Sequence, residues 1–291
     1  MRPTATAAPP DQEQEAQGTQ GAGEKPGGVA TPEPPNPDEG PVVLTIRGDG
    51  VSGETTWTLG QLQALRDGYR ESTFSTTNNW PTFGHMQAKG VSLPYLLGQA
   101  GLLGAAASFR LVATDGYHIT ATYGDVFDPL RSYSAHSPEG SSRPSVVIPI
   151  IAWEWGERAV RPESLRPFFG QRGPYDVNTA SFVKGLCIIE VSTTTTGAWG
   201  APGASIAGGS AVPYATELEL THGSADNVRI YYTLDGSEPD YDSQVYNRSA
   251  SYFQPHLVKP IALTQDMTIK AFAAGFGKDP SPVAEFSYTV E

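Results

Sequence analysis

The sequence holds a single cysteine, Cys187, in 291 residues. No intramolecular disulfide is possible, and no cysteine-rich metal site can form. Cys187 lies in the apolar run Gly185–Val191, where it reads as a small buried hydrophobe rather than a reactive thiol. Histidine is scarce too. The five residues are His85, His118, His136, His222 and His256, with no pair at i, i+4 and no HExxH, which argues against a zinc site. No run of about 18 apolar residues occurs, so nothing reads as a membrane-spanning helix. Positive charge is in deficit: 19 Lys and Arg stand against 31 Asp and Glu, for a net charge of −12. A field of that sign repels phosphate backbones and excludes nucleic acid as a partner.

The first 41 residues lack aromatics, Leu and Ile, and carry nine prolines and six glycines. Such a stretch cannot bury enough apolar surface to offset its ordering entropy, so residues 1–41 are expected to be a disordered tail. Its run Thr31–Pro37 reads as an extended spacer. No apolar segment follows Met1, so the start is not a signal peptide as it stands, although spacers of this kind commonly follow a secretion signal or lipid anchor.

Ordered structure begins with Val42–Ile46, an apolar strand. Thr58 and Gln61 then form a capping box ahead of Leu59, Leu62 and Leu65 at helical spacing. The segment Arg70–Gly84 is too rich in Asn and Thr for a core helix. Ser92 caps a second helix, with Pro94 in its first turn and Gly101 at its end. Strands are expected at Phe109–Ala113, Tyr117–Tyr123, Val146–Trp153 (broken at Pro149) and Phe182–Val191, with Asp115-Gly116 as a turn. Strands and helices mix without strict alternation, which makes residues 42–196 an α+β unit with a mixed sheet and short helices. A small-residue linker covers 197–211. Residues 212–291 contain short alternating strands only (Glu217–Thr221, Val228–Thr233, Met267–Ala273, Ala284–Val290), the pattern of an all-β sandwich.

Two resemblances follow from particular residues. The run Ile230–Pro239 (IYYTLDGSEP), with Pro260–Thr264, Thr268–Ala271 and Gly277–Ala284 in order after it, resembles the chitobiase/β-hexosaminidase C-terminal-type domain. That resemblance implies a non-catalytic immunoglobulin-like module of the kind appended to secreted bacterial proteins. Gly90–Leu102, Ala113–Tyr117, Pro149–Trp153 and Phe182–Gly185 are similar to the sulfite-oxidase-type molybdopterin-binding domain, as is Thr73–Thr82 to a bacterial subgroup pairing the two modules. Catalytic members of that family hold molybdenum through a cysteine shortly before the Gly-Val-x-Leu segment. Here Glu71–Lys89 has none, and Ser75, Thr76 or Thr77 stands in that neighbourhood. A hydroxyl replaces a soft thiolate poorly. The resemblance therefore implies the scaffold without the metal site: no cofactor is expected, with molybdopterin as the alternative.

The candidate ligand cleft comprises Ser75, Thr76, Asn78, Asn79, Trp80, His85, Asp115, Tyr117, Gln171, Arg172 and Lys184. Asn78, Asn79, Trp80, His85 and Lys89 read either as a polar cleft with one aromatic wall, suited to an anion or a sugar, or as a loop bonding its own turn. Asp115 and His118 read as an acid–base pair or as a hairpin turn. Gln171, Arg172 and Lys184 read as an anion site or as solvated charge. Asp235, Asp240 and Asp242 lie close enough in sequence for calcium but not at EF-hand spacing, and Asn247-Arg248-Ser249 is a glycosylation sequon. The function expected is a secreted or cell-surface, non-catalytic binding or structural protein, with an unidentified small ligand, a cell-surface protein or a glycan as partner. The alternatives are a molybdopterin-dependent oxidoreductase lacking the cysteine ligand, and a glycan-binding protein.

Overall fold

The computed structural model describes residues 37–128, 132–133, 145–156, 164–249 and 254–291. Most of the expected tail, 1–36, lies outside the described residues, as does His136. Pro37 and Asp38 already belong to the fold. The Thr58 hydroxyl donates to the Pro37 carbonyl at 2.6 Å, and Gln61 Nε2 donates to Asp38 Oδ1 at 2.8 Å.

The chain is mostly β-sheet with few helices. In order, the elements up to residue 192 are β1 (Val42–Arg47), β2 (Thr55–Thr58), α1 (Leu59–Ala64), β3 (Tyr69–Thr77), β4 (Phe83–Ser92), α2 (Leu93–Gln99), β5 (Ser108–Ala113), β6 (His118–Thr122), α3 (Tyr123–Phe127), β7 (Ser132–Tyr133), β8 (Ser145–Val146), β9 (Ile150–Trp155), β10 (Arg166–Phe168) and β11 (Leu186–Ser192). They build one sheet of order β2-β1-β11-β5-β6, in which β1 and β11 run parallel, and an antiparallel sheet of order β10-β9-β4-β3. Alternation decides which residues face inward. Leu44 and Ile46 of β1, and Phe109 and Leu111 of β5, are fully buried. They share one core with Phe74, Val91, Ile150 and Phe168 of the second sheet and Leu93, Leu96 and Leu97 of α2. Each such side chain contributes about 1.5–3 kcal/mol by leaving water.

Local signals explain the helices. Thr58 and Gln61 form the expected capping box, and Ser92 accepts from the Tyr95 amide with Pro94 in the first turn. Thr122 and Asp125 form a second capping box, which opens α3. The strand expected over Tyr117–Tyr123 therefore ends at Thr122. Arg70–Gly84 lies mostly in the long antiparallel hairpin β3–β4, paired Tyr69↔Val91 through Thr77↔Phe83. Gly90 permits β4 to approach β9, since a Cβ there would lie 2.1 Å from the Ile151 carbonyl oxygen. The strand expected from Phe182 begins later, at Leu186, because a single 3-10 turn (Thr179–Ser181) and a left-handed Gly185 (φ 72°) precede it.

Among the described residues the later elements are strands and one 3-10 turn: β12 (Gly203–Ala204), β13 (Ala211–Val212), β14 (Thr216–Leu218), β15 (Leu220–Thr221), β16 (Arg229–Thr233), β17 (Gln244–Val245), β18 (Ile261–Leu263), β19 (Met267–Ala274) and β20 (Ala284–Val290). A five-stranded sheet of order β13-β20-β19-β16-β17 is joined by the pairs β14–β18 and β12–β15. Leu218 and Leu263 of the small pair share a second core with Ile230, Ile269 and Tyr288 of the large sheet. A third cluster, Tyr231, Val245, Phe272 and Ala274, takes in Tyr175 from before β11 and Tyr241 from before β17. The described residues form one unit, and this third cluster lies on the seam between its two cores.

Candidate functional site

The eleven expected site residues do not converge on one cleft. Ser75 and Thr77 point inward from β3, fully buried. The Ser75 hydroxyl donates to Gln171 Oε1, and Gln171 Nε2 donates to Thr77 Oγ1 at 2.9 Å and to the Asp176 carbonyl at 2.7 Å. Thr77 Oγ1 donates in turn to the Pro174 carbonyl at 3.1 Å. Asn178, 1% exposed, accepts from the Thr77 amide at 3.0 Å and donates to the Ser75 and Phe169 carbonyls at 2.9 and 3.0 Å. β3 is thereby locked to the 171–178 loop by a buried polar network, satisfied at each of these atoms. Thr76, between them, is half-buried with its hydroxyl beside Gly84.

Arg172 is neither solvated nor open to an anion. Its side chain is 6% exposed, with Nε donating to Asp128 Oδ2 at 3.0 Å, Nη1 lying 3.5 Å from Asp125 Oδ1, and Cζ 5.6 Å from the centre of the Tyr241 ring. Burial works to lower its pKa. The charges of Asp125 and Asp176 and the hydrogen bond to Asp128 outweigh that, and the guanidinium ends above its ordinary value. Asp125 does double service, accepting from the Thr122 amide at 2.9 Å and from the Gly277 amide at 3.0 Å across the seam.

The other expected residues take local or separate roles. Asn78 Oδ1 accepts from the Trp80 and Thr82 amides at 2.9 and 2.8 Å, closing the β3–β4 turn. Trp80 is half exposed, its carbonyl accepting from Gln254. His85 is exposed on β4, opposite Ser75 in the ladder. Asp115 accepts from the Tyr117 amide at 2.9 Å while His118 Nδ1 meets the Gly116 carbonyl at 3.2 Å, so both serve the turn around Gly116 (φ 86°) and not each other. The exposed Tyr117 hydroxyl donates to the Ala180 carbonyl, and Lys184 is exposed before β11. Lys89 pairs with Glu154 at 2.8 Å.

Asn79 alone of the eleven lines a cleft of about 280 Å³ on the seam, with Thr120, Ser181, Trp199, Asp226, Asn227 and Phe276 among its other walls. None of its lining residues is cationic. The aromatic wall is Trp199 and Phe276 rather than Trp80, and the charge is a carboxylate rather than Arg172 or Lys184. Arg229, 2% exposed, holds Asn79: Nη2 donates to Asn79 Oδ1 at 2.9 Å, Nη1 donates to the Val228 carbonyl at 3.1 Å, and Nε has no hydrogen-bond partner among the described residues. Burial lowers its pKa. Arg229 escaped the sequence because nothing local marks a residue that acts 150 positions away from its partner. Asp125 did carry a signal, the Thr-x-x-Asp cap.

Three further motifs resolve. Asn247 is 5% exposed, donates to the Ala225 and Val228 carbonyls at 2.8 Å each and accepts from the Ile230 amide at 2.7 Å, so the sequon nitrogen is closed to a glycan. Asp235 accepts from the Ser237 amide and hydroxyl, and Asp240 from the Asp242 amide and the Ser243 hydroxyl, so both build turns. Among the described residues no group of three His, Cys, Asp or Glu is placed to hold a metal ion. Cys187 is half-buried rather than buried, its thiol 3.5 Å from the Val112 carbonyl and its pKa raised by desolvation. Its reaction with an aromatic disulfide reagent at pH 8 is expected to be at least tenfold slower in the native protein than in denaturant; equal rates would show a freely accessible thiolate.

Among the described residues no helix is long and apolar enough to cross a membrane. Comparison with known proteins finds no match among curated proteins. The family model described as Fn3 associated matches residues 218–288. Among solved structures, the crystal structure of the sulfane dehydrogenase SoxCD from Paracoccus pantotrophus is similar with a TM-score of 0.38 and 12% identity, over 79% of this chain and 66% of that one. This chain thus spans just under two thirds of that relative's length.

Proposed function

We propose that this chain is a non-catalytic, extracytoplasmic binding protein: a molybdopterin-domain-like scaffold that has given up its metal site, followed by an immunoglobulin-like module. The observation that carries the reading is the state of β3. Where the sequence resemblance places a metal-binding thiolate, the chain offers hydroxyls, and those of Ser75 and Thr77 are buried and bonded within the Gln171–Asn178 network. These donors do not fit a molybdenum centre. A neutral hydroxyl is a weak ligand for a metal tuned by a soft thiolate, and recruiting either one would break a satisfied interior network. The match of residues 218–288 to the Fn3-associated family supports an accessory module at the C-terminal end, and the sequence resemblance of that module to those of secreted bacterial proteins is the reason for an extracytoplasmic location.

The test is metal and pterin analysis of the full chain purified from a host that makes molybdenum cofactor. The expected result is well under 0.1 mole of molybdenum per mole of folded protein. Stoichiometric molybdenum and pterin would overturn the proposal in favour of a cofactor-dependent oxidoreductase without a cysteine ligand.

A further inference from the structure

A second cleft, also of about 280 Å³, opens beside the third cluster. Pro174, Tyr175, Tyr241 and Val245 line it, with Asp242 and Arg248 as its charged members. Both tyrosines are held by neighbouring rings. Tyr175 meets Phe83 edge-on at 5.9 Å, and Tyr241 meets Tyr231 and Phe272 edge-on at 5.3 and 5.5 Å. These walls are set before any ligand arrives, which reduces the entropy cost of binding. The uncharged polar members already carry bonds. Ser243 Oγ donates to Asp240 Oδ1 at 3.0 Å and accepts from the Asp240 amide at 2.9 Å, and Gln244 Oε1 accepts from the Tyr232 hydroxyl at 3.0 Å. The charged members are different. Arg248 is exposed, with Cζ 5.2 Å from the centre of the Tyr175 ring, so its guanidinium lies against the aromatic wall. Asp242 is exposed in the turn before β17, where its amide donates to Asp240 Oδ1 at 3.0 Å. Among the described residues neither side chain forms an ion pair, with the other or with any third group.

One cleft therefore holds two opposite charges that do not neutralise each other. A ligand that fills it displaces water from both. An anion suits Arg248 but brings like charge to Asp242, and a cation does the reverse. A neutral molecule offers neither charge an opposite one. A small zwitterion meets both demands. Its carboxylate matches the planar fork of the guanidinium, and its ammonium pairs with the Asp242 carboxylate. An apolar side chain on the same molecule then packs against Tyr175, Tyr241 and Val245. We infer that this cleft binds an amino acid with an apolar side chain, free or as a dipeptide with both ends charged. The inference rests on the reading of the chain as a binding protein, and it names the ligand class and the residues that take it.

Saturation-transfer NMR on the full chain tests it. Leucine, phenylalanine and the dipeptide of the two are offered separately, beside phenethylamine and hydrocinnamate, which each carry one of the two charges. Transfer to at least one zwitterion is expected, with a dissociation constant on the order of 1 mM, as suits so small a ligand. Both single-charge molecules should bind roughly tenfold more weakly than phenylalanine. Arg248→Gln and Asp242→Asn, which keep the size of each side chain, should each weaken zwitterion binding by roughly tenfold and leave the melting temperature unchanged, since both side chains are exposed. Tighter binding of the dipeptide assigns the site to peptides; tighter binding of the free amino acids assigns it to those. No transfer to any zwitterion, a single-charge molecule that binds as well as phenylalanine, or binding untouched by either substitution overturns the inference. Metal analysis reports on the scaffold independently, so loss of the amino-acid reading leaves that result standing.

Discussion

Arg172→Ala is expected to lower the stability of the full chain by about 3 kcal/mol or more, the usual cost of breaking a buried ion pair by removing one partner. The guanidinium faces Asp125 and Asp128, lies close enough to Asp176 to be stabilised by its charge, and stacks on Tyr241. Deleting it leaves these carboxylates crowded around a space with less positive charge in it, and removes a cation–π contact. Against a typical stability of about 5–15 kcal/mol this is a large share. At roughly 2–4 °C per kcal/mol for a chain of this size, the melting temperature should fall by on the order of 10 °C. Arg172→Lys keeps the charge but loses the planar fork, and should fall between the two. Denaturant titration followed by circular dichroism measures all three. An Arg172→Ala protein as stable as the parent would show that the carboxylates are held by other means.

The same residue shows where sequence reading stops. Arg172 was legible as a charge of two possible kinds, solvated or anion-binding, because its partners lie 44 and 47 positions upstream and no local pattern points to them. The elements that did read correctly are those whose cause is local. β1, β5 and β20 alternate, and α1 and α2 carry side-chain caps within three residues of their starts. The β3–β4 hairpin was legible only as something other than a helix. Its inward positions include Ser75 and Thr77, polar residues that become core only because Gln171 and Asn178 arrive from about 100 positions away to bond them. Asn78, Asn79 and Trp80 read from sequence as one cluster, yet each of the three faces a different partner. Asn78 serves its own turn, the Trp80 carbonyl meets Gln254, and the Asn79 side chain meets Arg229. Adjacent polar residues at a strand end share an address but not an orientation, and orientation is what makes a site.

A chain ending at Thr196 is expected to unfold without a cooperative transition, or to melt at least 10 °C below the full chain. The later strands do not hang from the earlier sheets as a separate bead. Phe276 packs into the first core against Phe169, the Gly277 amide bonds Asp125, Tyr241 covers Arg172, and Arg229 holds Asn79. Truncation at once removes two hydrogen bonds that involve charged groups, each worth about 1.5–3 kcal/mol, and uncovers an aromatic surface of the core. Gly173→Ala probes the same seam in the intact chain, because the added Cβ would lie 2.8 Å from the Tyr241 carbonyl oxygen and must push the two sides apart. It should destabilise by about 1–3 kcal/mol, the range for overpacking. Calorimetry on the truncated and substituted chains decides the matter, and a truncated chain that melts like the parent would make the seam contacts incidental. The cleft depends on the same outcome: Asn79, Thr120 and Ser181 come from before Thr196, and Trp199, Asp226 and Phe276 from after it. If the seam is what makes the two cores one folding unit, any ligand bound in that cleft should raise the melting temperature of the whole chain in a single transition.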